Sequence, residues 1–173
     1  MTDPRVLLIG MMGAGKTTVG HELSARTCWP YFDNDQLVAM AVGETTPDLL
    51  RDRGENALRE AESAALTVAL ERQPPLIASC AGGVVLDAHD RNRLKTGGFV
   101  VWLRARIETL TERVEVGEAR PWLAANPSAT LTALARSREP LYAEVASYVV
   151  DVDVLTPAEV ASQIIDALAT DTG

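Results

Sequence analysis

Apolar residues fall along the chain in short, unbroken runs: Val6-Leu7-Leu8-Ile9, Leu76-Ile77-Ala78, Phe99-Val100-Val101-Trp102-Leu103 and Tyr148-Val149-Val150, with Tyr31-Phe32 a shorter fifth. Runs of this length, bounded by polar residues and glycines, read as buried strands. Between them lie helix-like stretches at 15–27, 54–72, 87–95, 106–115, 128–145 and 157–168. In the second of these Leu58, Ala61, Ala65 and Val68 recur at spacings of three and four, which draws one apolar stripe down a helix. Thr156-Pro157-Ala158-Glu159 has the order of an N-cap, a proline at the first helical position and an acidic first turn. Strands separated by helices imply parallel pairing through right-handed crossovers. The expectation is an α/β fold, a three-layer α/β/α sandwich around a central, mainly five-stranded parallel sheet. Residues 33–53 and 114–127 fit no element; both are polar, with Gly and Pro, and are expected as insertions over one edge of the sheet.

Composition narrows the reading. At 173 residues one domain spanning 1–173 is expected, since a second core would be short of material. With 16 Lys+Arg against 24 Asp+Glu the net charge is −8, which argues against a general binder of nucleic acid or of anionic membranes. A small anion held by a local cluster of cations is still allowed. Only Lys16 and Lys95 are lysines, so the placement of the few positive groups carries information. The apolar run ending at Gly10 is too short for a signal peptide or a membrane span. Cys28 and Cys80 stand far apart with no CxxC pattern, and no histidine cluster surrounds His21 or His89. Reduced thiols, no structural zinc, and a cytoplasmic monomer are expected.

The strongest local signal is Gly10-Met11-Met12-Gly13-Ala14-Gly15-Lys16-Thr17, which satisfies G-x-x-x-x-G-K-[ST]. A strand precedes it and a helical pattern follows, the context in which such a loop turns consecutive N–H groups toward an anion at a helix N-terminus. Gly13, Ala14, Gly15, Lys16, Thr17 and Thr18 are therefore expected to hold the phosphates of a nucleotide. Lys16 would neutralise the β- and γ-phosphates, and the Thr17 hydroxyl would ligate Mg²⁺. No Asn-Lys-x-Asp guanine-reading motif exists, and the chain is short for a motor or large ATPase. A small-molecule kinase is left, with ATP as phosphoryl donor.

Downstream elements then specify which kind. Tyr31-Phe32-Asp33-Asn34-Asp35, Arg59, Ser79-Cys80-Ala81-Gly82-Gly83, Arg120-Pro121-Trp122-Leu123 and Arg138-Glu139-Pro140-Leu141-Tyr142 follow the phosphate loop in that order. Over residues 5–168 this set resembles the shikimate kinase family, with its Phe/Leu-Asp-x-Asp element, helix arginine, Gly-Gly-Gly turn, Arg-Pro-Leu lid and late arginine near Pro-Leu-Tyr. The resemblance implies a P-loop kinase fold of the nucleoside monophosphate kinase type, with a substrate-binding helical segment at 33–60 and a lid at 114–127. It implies phosphorylation of shikimate to shikimate 3-phosphate, in the biosynthesis of aromatic amino-acid precursors.

By that resemblance Asp33 joins Thr17 in the Mg²⁺ site, and Asp35 binds acceptor hydroxyls and orients the attacking one. Carboxylates at i and i+2 leaving a strand point to different sides, which suits two such roles; an Asx-rich turn is the other reading. Arg59 and Arg138 look like a bidentate clamp on the acceptor carboxylate. Arg59 also has Glu62 and Ser63 one turn on, and Arg138 has Glu139 and Glu144, so surface pairing stays open for both. Gly82 and Gly83 would present N–H groups to substrate, or simply make a strand-to-helix turn. Arg120 is the lid arginine that reaches the transferring phosphoryl group. Arg113 stands where the family stacks an arginine on adenine, or is a solvated helix-end charge; Pro157 lies in the other adenine-flanking loop.

Ala81 replaces the first glycine of the family's triplet, which strains the chain if that position has positive φ and is harmless if it is extended. Cys80 is modifiable if exposed. Trp122 stands for the lid leucine. Two other functions stay open: a kinase of the same fold for gluconate or a cyclitol, and a nucleotide-binding regulatory module with weak activity. The arginine pair favours a carboxylated small-molecule acceptor over a plain polyol.

Overall fold

The computed structural model describes residues 4–116 and 126–171. Five strands, β1 (Arg5–Ile9), β2 (Tyr31–Asp33), β3 (Leu76–Ser79), β4 (Phe99–Arg104) and β5 (Tyr148–Asp151), form one parallel sheet in the order β2-β3-β1-β4-β5. Helices α1 (Lys16–Thr27), α2 (Asn34–Val42), α3 (Thr46–Glu71), α4 (Ala88–Gly97), α5 (Ile107–Val116), α6 (Pro127–Val145) and α7 (Pro157–Asp171) connect or flank the strands. The three-layer α/β architecture expected from the alternation of runs is the one observed.

The central strand explains the unbroken runs. β1 pairs with β3 on one side (Leu7 opposite Ala78) and with β4 on the other (Leu7 opposite Val100). Val6 through Ile9 are wholly buried, because helices cover both faces of the sheet. On α3 the stripe of threes and fours points inward through Leu58, Ala61, Ala65, Leu66 and Ala69. Its fourth expected member, Val68, is instead exposed. α7 starts as a reciprocal capping box: Glu159 N donates to Thr156 Oγ1 (3.3 Å) and Thr156 N to Glu159 Oε2 (2.8 Å).

Residues 33–53 depart from the pattern of apolar positions, which gave them no element, and agree with the helical segment that the resemblance implies. They are largely helical, forming α2 and the first two turns of α3. Asp33 caps α2 by accepting from Asp35 N, and Thr45 caps α3 by accepting from Asp48 N. Leu37, Val38 and Leu49 supply the few buried contacts these helices need. Gly54 (φ 81°, ψ 179°) breaks α3 internally, which is why the apolar stripe becomes regular only beyond it. Because every strand runs the same way, β1, β2 and β3 deliver Gly10, Asp33 and Gly82 to one edge of the sheet, where α/β folds bind ligands.

Candidate active site

The loop after β1 turns on glycines in left-handed geometry. At Gly15 (φ 93°) a Cβ would meet nothing, so conformation rather than space demands glycine there. Helix α1 begins at the next residue with no side-chain cap, whereas α2, α3, α4 and α6 each have one. An uncapped helix start facing a glycine loop is an anion cradle, because first-turn N–H groups have no intrahelical acceptor. Lys16 Nζ donates to the carbonyls of Gly10 (2.8 Å) and Met11 (3.1 Å), which holds the ammonium against the loop. Gly13, Ala14, Thr17 and Thr18 complete this stretch, with both threonines exposed in the first turn of α1.

Beside the loop, hydroxyls converge on Asp33. Its Oδ2 accepts from Thr17 Oγ1 (3.0 Å) and from Tyr31 Oη (2.8 Å), while Oδ1 accepts from Asp35 N (2.9 Å). Tyr31 Oη also lies 2.7 Å from Ser79 Oγ. Burial, reinforced by the Asp33 charge, pushes the Tyr31 phenol well above its ordinary value, so it stays a donor. A hydroxyl and a carboxylate 3.0 Å apart at the phosphate end form the hard oxygen pair that Mg²⁺ takes, so the residues present fit that ion.

On the other side of the loop, two arginines flank the turn after β3. Arg59 lies against Gly83, where a Cβ would overlap its guanidinium; Arg138 Nη1 would stand 3.4 Å from a Cβ at Gly82. Gly83 has an ordinary helical φ of −88°, so glycine there is a matter of space for Arg59. Arg138 is only 5% exposed. The Nε groups of both arginines are buried and without a hydrogen-bond partner, an arrangement that costs stability unless a ligand supplies the acceptor. Arg59 does pair along its helix, with Glu62 Oε2 (2.6 Å) and Glu55 Oε1 (3.0 Å). Burial raises the Glu62 carboxyl above its usual range, and the nearby Asp35 charge adds to the rise while Arg59 and Arg138 oppose it. The alternative pairing of Arg138 is not seen: Glu144 instead bonds Lys95 (2.7 Å) and Arg91 (3.0 Å).

The two sides touch. A Cβ on Gly82 would meet the Gly10 carbonyl at 3.2 Å, the same oxygen that Lys16 binds. Tyr142 Oη donates to the Gly82 carbonyl (2.6 Å), pinning the turn from α6. Burial pushes that phenol up to about 12. Sequence reasoning assigned no role to Tyr142 or Tyr31; the available signal for Tyr142 was its place one helical turn after Arg138.

The remaining expectations sort quickly. Arg113 is exposed, yet it donates to Gly13 O (3.3 Å) and Val152 O (2.9 Å), bridging the phosphate loop and the segment that leads from β5 to Pro157. Arg120, Trp122 and most of the expected lid lie outside the described residues. Ala81 is absent from the positive-φ positions, so its methyl brings no backbone strain. Cys80 is buried, which pushes its thiol up to about 12 and removes it as a modification site. Beside His89, ligand atoms of Asp87, His89 and Asp90 lie within 4.8 Å of one another. Asp87 is engaged in capping α4, and Asp90 bonds Arg93 and Ser63.

Comparison with known proteins agrees with this geometry. The shikimate kinase family model matches residues 12–169. A curated shikimate kinase of Streptomyces avermitilis is 40% identical over 168 residues, covering 97% of each chain. The chain belongs to the shikimate kinase family. The structure of shikimate kinase from Acinetobacter baumannii in complex with shikimate superposes with a TM-score of 0.92 at 32% identity, covering 98% of this chain and 95% of that one. A gluconokinase from Sinorhizobium meliloti, at TM-score 0.67 and 21% identity over 98% and 94% of the two chains, shares the fold alone. The chain is thus a small-molecule kinase that uses ATP as phosphoryl donor. Among the described residues no helix is long and apolar enough to cross a membrane.

Proposed function

We propose that the crevice transfers the γ-phosphoryl group of ATP to a hydroxyl of shikimate, with the residue roles that follow. The observation that carries the acceptor is the pair of buried, unpartnered Nε groups on Arg59 and Arg138, set around Gly82 and Gly83 within contact of the phosphate loop. Two guanidinium forks recognise a carboxylate by paired hydrogen bonds; a plain polyol would leave them unmatched.

The loop amides and the start of α1 hold the phosphates, and Lys16 turns its ammonium from the Gly10 and Met11 carbonyls toward the transferring group. Thr17 and Asp33 would hold Mg²⁺, which supplies charge neutralisation at the β- and γ-phosphates when bound. Asp35, in the exposed first turn of α2, accepts the proton of the attacking hydroxyl and aligns it. Arg59, Arg138 and the Gly82-Gly83 amides fix the acceptor, so that the hydroxyl meets the γ-phosphorus in line. Arg120 adds positive charge from the lid segment, and Arg113 with Pro157 brackets the adenine. The enzyme acts as a cytoplasmic monomer and binds no nucleic acid, in keeping with its net charge of −8.

A coupled ADP-release assay with shikimate, gluconate, quinate and AMP tests the reading. ADP release should depend on shikimate. Release unaffected by shikimate, or stimulated more by gluconate, would overturn it.

A further inference from the structure

Tyr31 takes none of the roles given above, yet its hydroxyl stands between two of the groups that hold the phosphate end. It is 2.8 Å from Asp33 Oδ2 and 2.7 Å from Ser79 Oγ, and Thr17 Oγ1 reaches the same Asp33 oxygen at 3.0 Å. A phenol carries one proton, so a Tyr31 that donates to Asp33 must accept from Ser79. Donation therefore runs from Ser79, buried at the end of β3, through Tyr31 on β2 to the carboxylate. Thr17 closes on that carboxylate from α1.

Packing fixes where the phenol can be. The Tyr31 ring packs against Gly20, where any Cβ would overlap it, and the His21 ring meets it edge-on with centroids 4.7 Å apart. The hydroxyl is thereby held at one point between strands β2 and β3. Asp33 is held in turn at both oxygens, Oδ1 by the Asp35 amide and Oδ2 by the two hydroxyls. A threonine hydroxyl has one proton and two lone pairs. With its proton directed to Asp33, Thr17 keeps its lone pairs for a cation.

We infer that Tyr31, backed by Ser79, is a positioning residue for the magnesium site, holding the Asp33 carboxylate in the orientation that turns the lone pairs of Thr17 outward. This rests on the reading of Thr17 and Asp33 as the Mg²⁺-holding pair. Tyr31→Phe keeps the ring and its seat on Gly20 while deleting one of the two donors to Oδ2. Ser79→Ala keeps the donor and the seat of the ring but removes the partner that fixes the direction of the Tyr31 O–H. Partners that orient ligating groups commonly change metal affinity by about 10- to 100-fold, and the lower end is expected where Thr17 still anchors the carboxylate.

The test is calorimetric titration of ADP at a series of Mg²⁺ concentrations, and in excess EDTA, for the full chain and for Tyr31→Phe, Ser79→Ala and Asp33→Asn. Tyr31→Phe should raise the Mg²⁺ concentration that half-maximally tightens ADP binding by about tenfold. Ser79→Ala should move it the same way by less, and should decide the matter alone if Tyr31→Phe does not fold. Both should remain folded and leave ADP affinity in EDTA unchanged. A wild-type midpoint in both variants, with a shifted one in Asp33→Asn, overturns the inference while the metal reading stands. An equal loss of ADP affinity in EDTA also overturns it, since packing alone would do that. An unshifted midpoint in Asp33→Asn removes the metal reading and the inference with it.

Discussion

On the phosphate side of the crevice, the groups that meet an anion are mainly main-chain amides: a glycine loop and a helix start without a side-chain cap, supported by one lysine that binds the loop's own carbonyls. On the acceptor side they are side chains, two arginines carried by α3 and α6, buried enough that each has an Nε without a partner. Loop amides stay solvated until a ligand arrives, so the cradle costs the folded state little. A buried, unpartnered donor costs about 1–3 kcal/mol, which a matching carboxylate recovers on binding. On the proposed reading specificity belongs to the acceptor side, where the wrong ligand leaves that cost in place. An acidic chain can run both sites because each gathers its positive character locally.

The largest effect should come from the residue proposed to act on the attacking hydroxyl. In the proposed mechanism Asp35→Asn removes the acceptor of the hydroxyl proton, and kcat should fall by about 10²- to 10⁴-fold. ADP affinity, set by the loop, should hold in a direct titration. Near-normal turnover would take Asp35 out of the reaction and leave it as a first-turn helix charge.

Arg138→Lys separates the sides next. A lysine keeps the charge but loses the planar fork, and it brings a strongly hydrated ammonium into a nearly closed position. KM for shikimate should rise by about 10- to 100-fold with ADP affinity unchanged. Equal loss of both would mean that Arg138 braces the Gly82 turn against the phosphate loop, and the contrast between the sides would fail. Gly83→Ala should act more mildly. The backbone there accepts alanine at φ −88°, so the change works only by pushing Arg59 aside, and Glu55 and Glu62 offer the displaced guanidinium a place to go. KM for shikimate should rise by about tenfold, with kcat within a factor of about two. An unfolded Gly83→Ala would show that Arg59 cannot yield.

The same contrast governs what could be read from the chain alone. The phosphate side was legible because a backbone cradle is contiguous: eight residues, from the end of a strand into the first turn of a helix, contain it. The sheet was legible because strands covered on both faces leave unbroken apolar runs, as at Val6–Ile9. Periodicity alone showed no element at 33–53, where only the resemblance implied helices, because Gly43, Pro47 and Gly54 dominate the local pattern and the helices there bury only a few apolar side chains, Leu37, Val38 and Leu49 among them. Asp33 and Thr45 were the cap signals that outweighed them. The acceptor side was legible only as alternatives. Arg59 proved to pair with Glu62 and Glu55 and also to face Gly83, so the two readings were never exclusive. The tyrosine hydroxyls were harder to read, since Tyr142 finds the Gly82 carbonyl 60 residues away and Tyr31, besides bonding Asp33 two residues on, reaches Ser79 48 residues away.

Ala81 offers the smallest and most discriminating test. Shikimate kinases resemble one another in a Gly-Gly-Gly turn, and this chain has Ala81-Gly82-Gly83. Ala81 lies outside the left-handed region, is 8% exposed, and its carbonyl accepts from Val84 N at 3.1 Å. A methyl there is unstrained and restricts the unfolded chain, so Ala81→Gly should lower stability by about 0.5–1 kcal/mol in a denaturant titration. If the turn is governed by backbone conformation alone, kcat/KM for shikimate should stay within a factor of about two. A clear gain in kcat/KM would instead mean that the Ala81 methyl encroaches on the acceptor. The turn would then be governed by space at Ala81 as it is at Gly83, and the acceptor side would extend one residue closer to the core than the two arginines mark out.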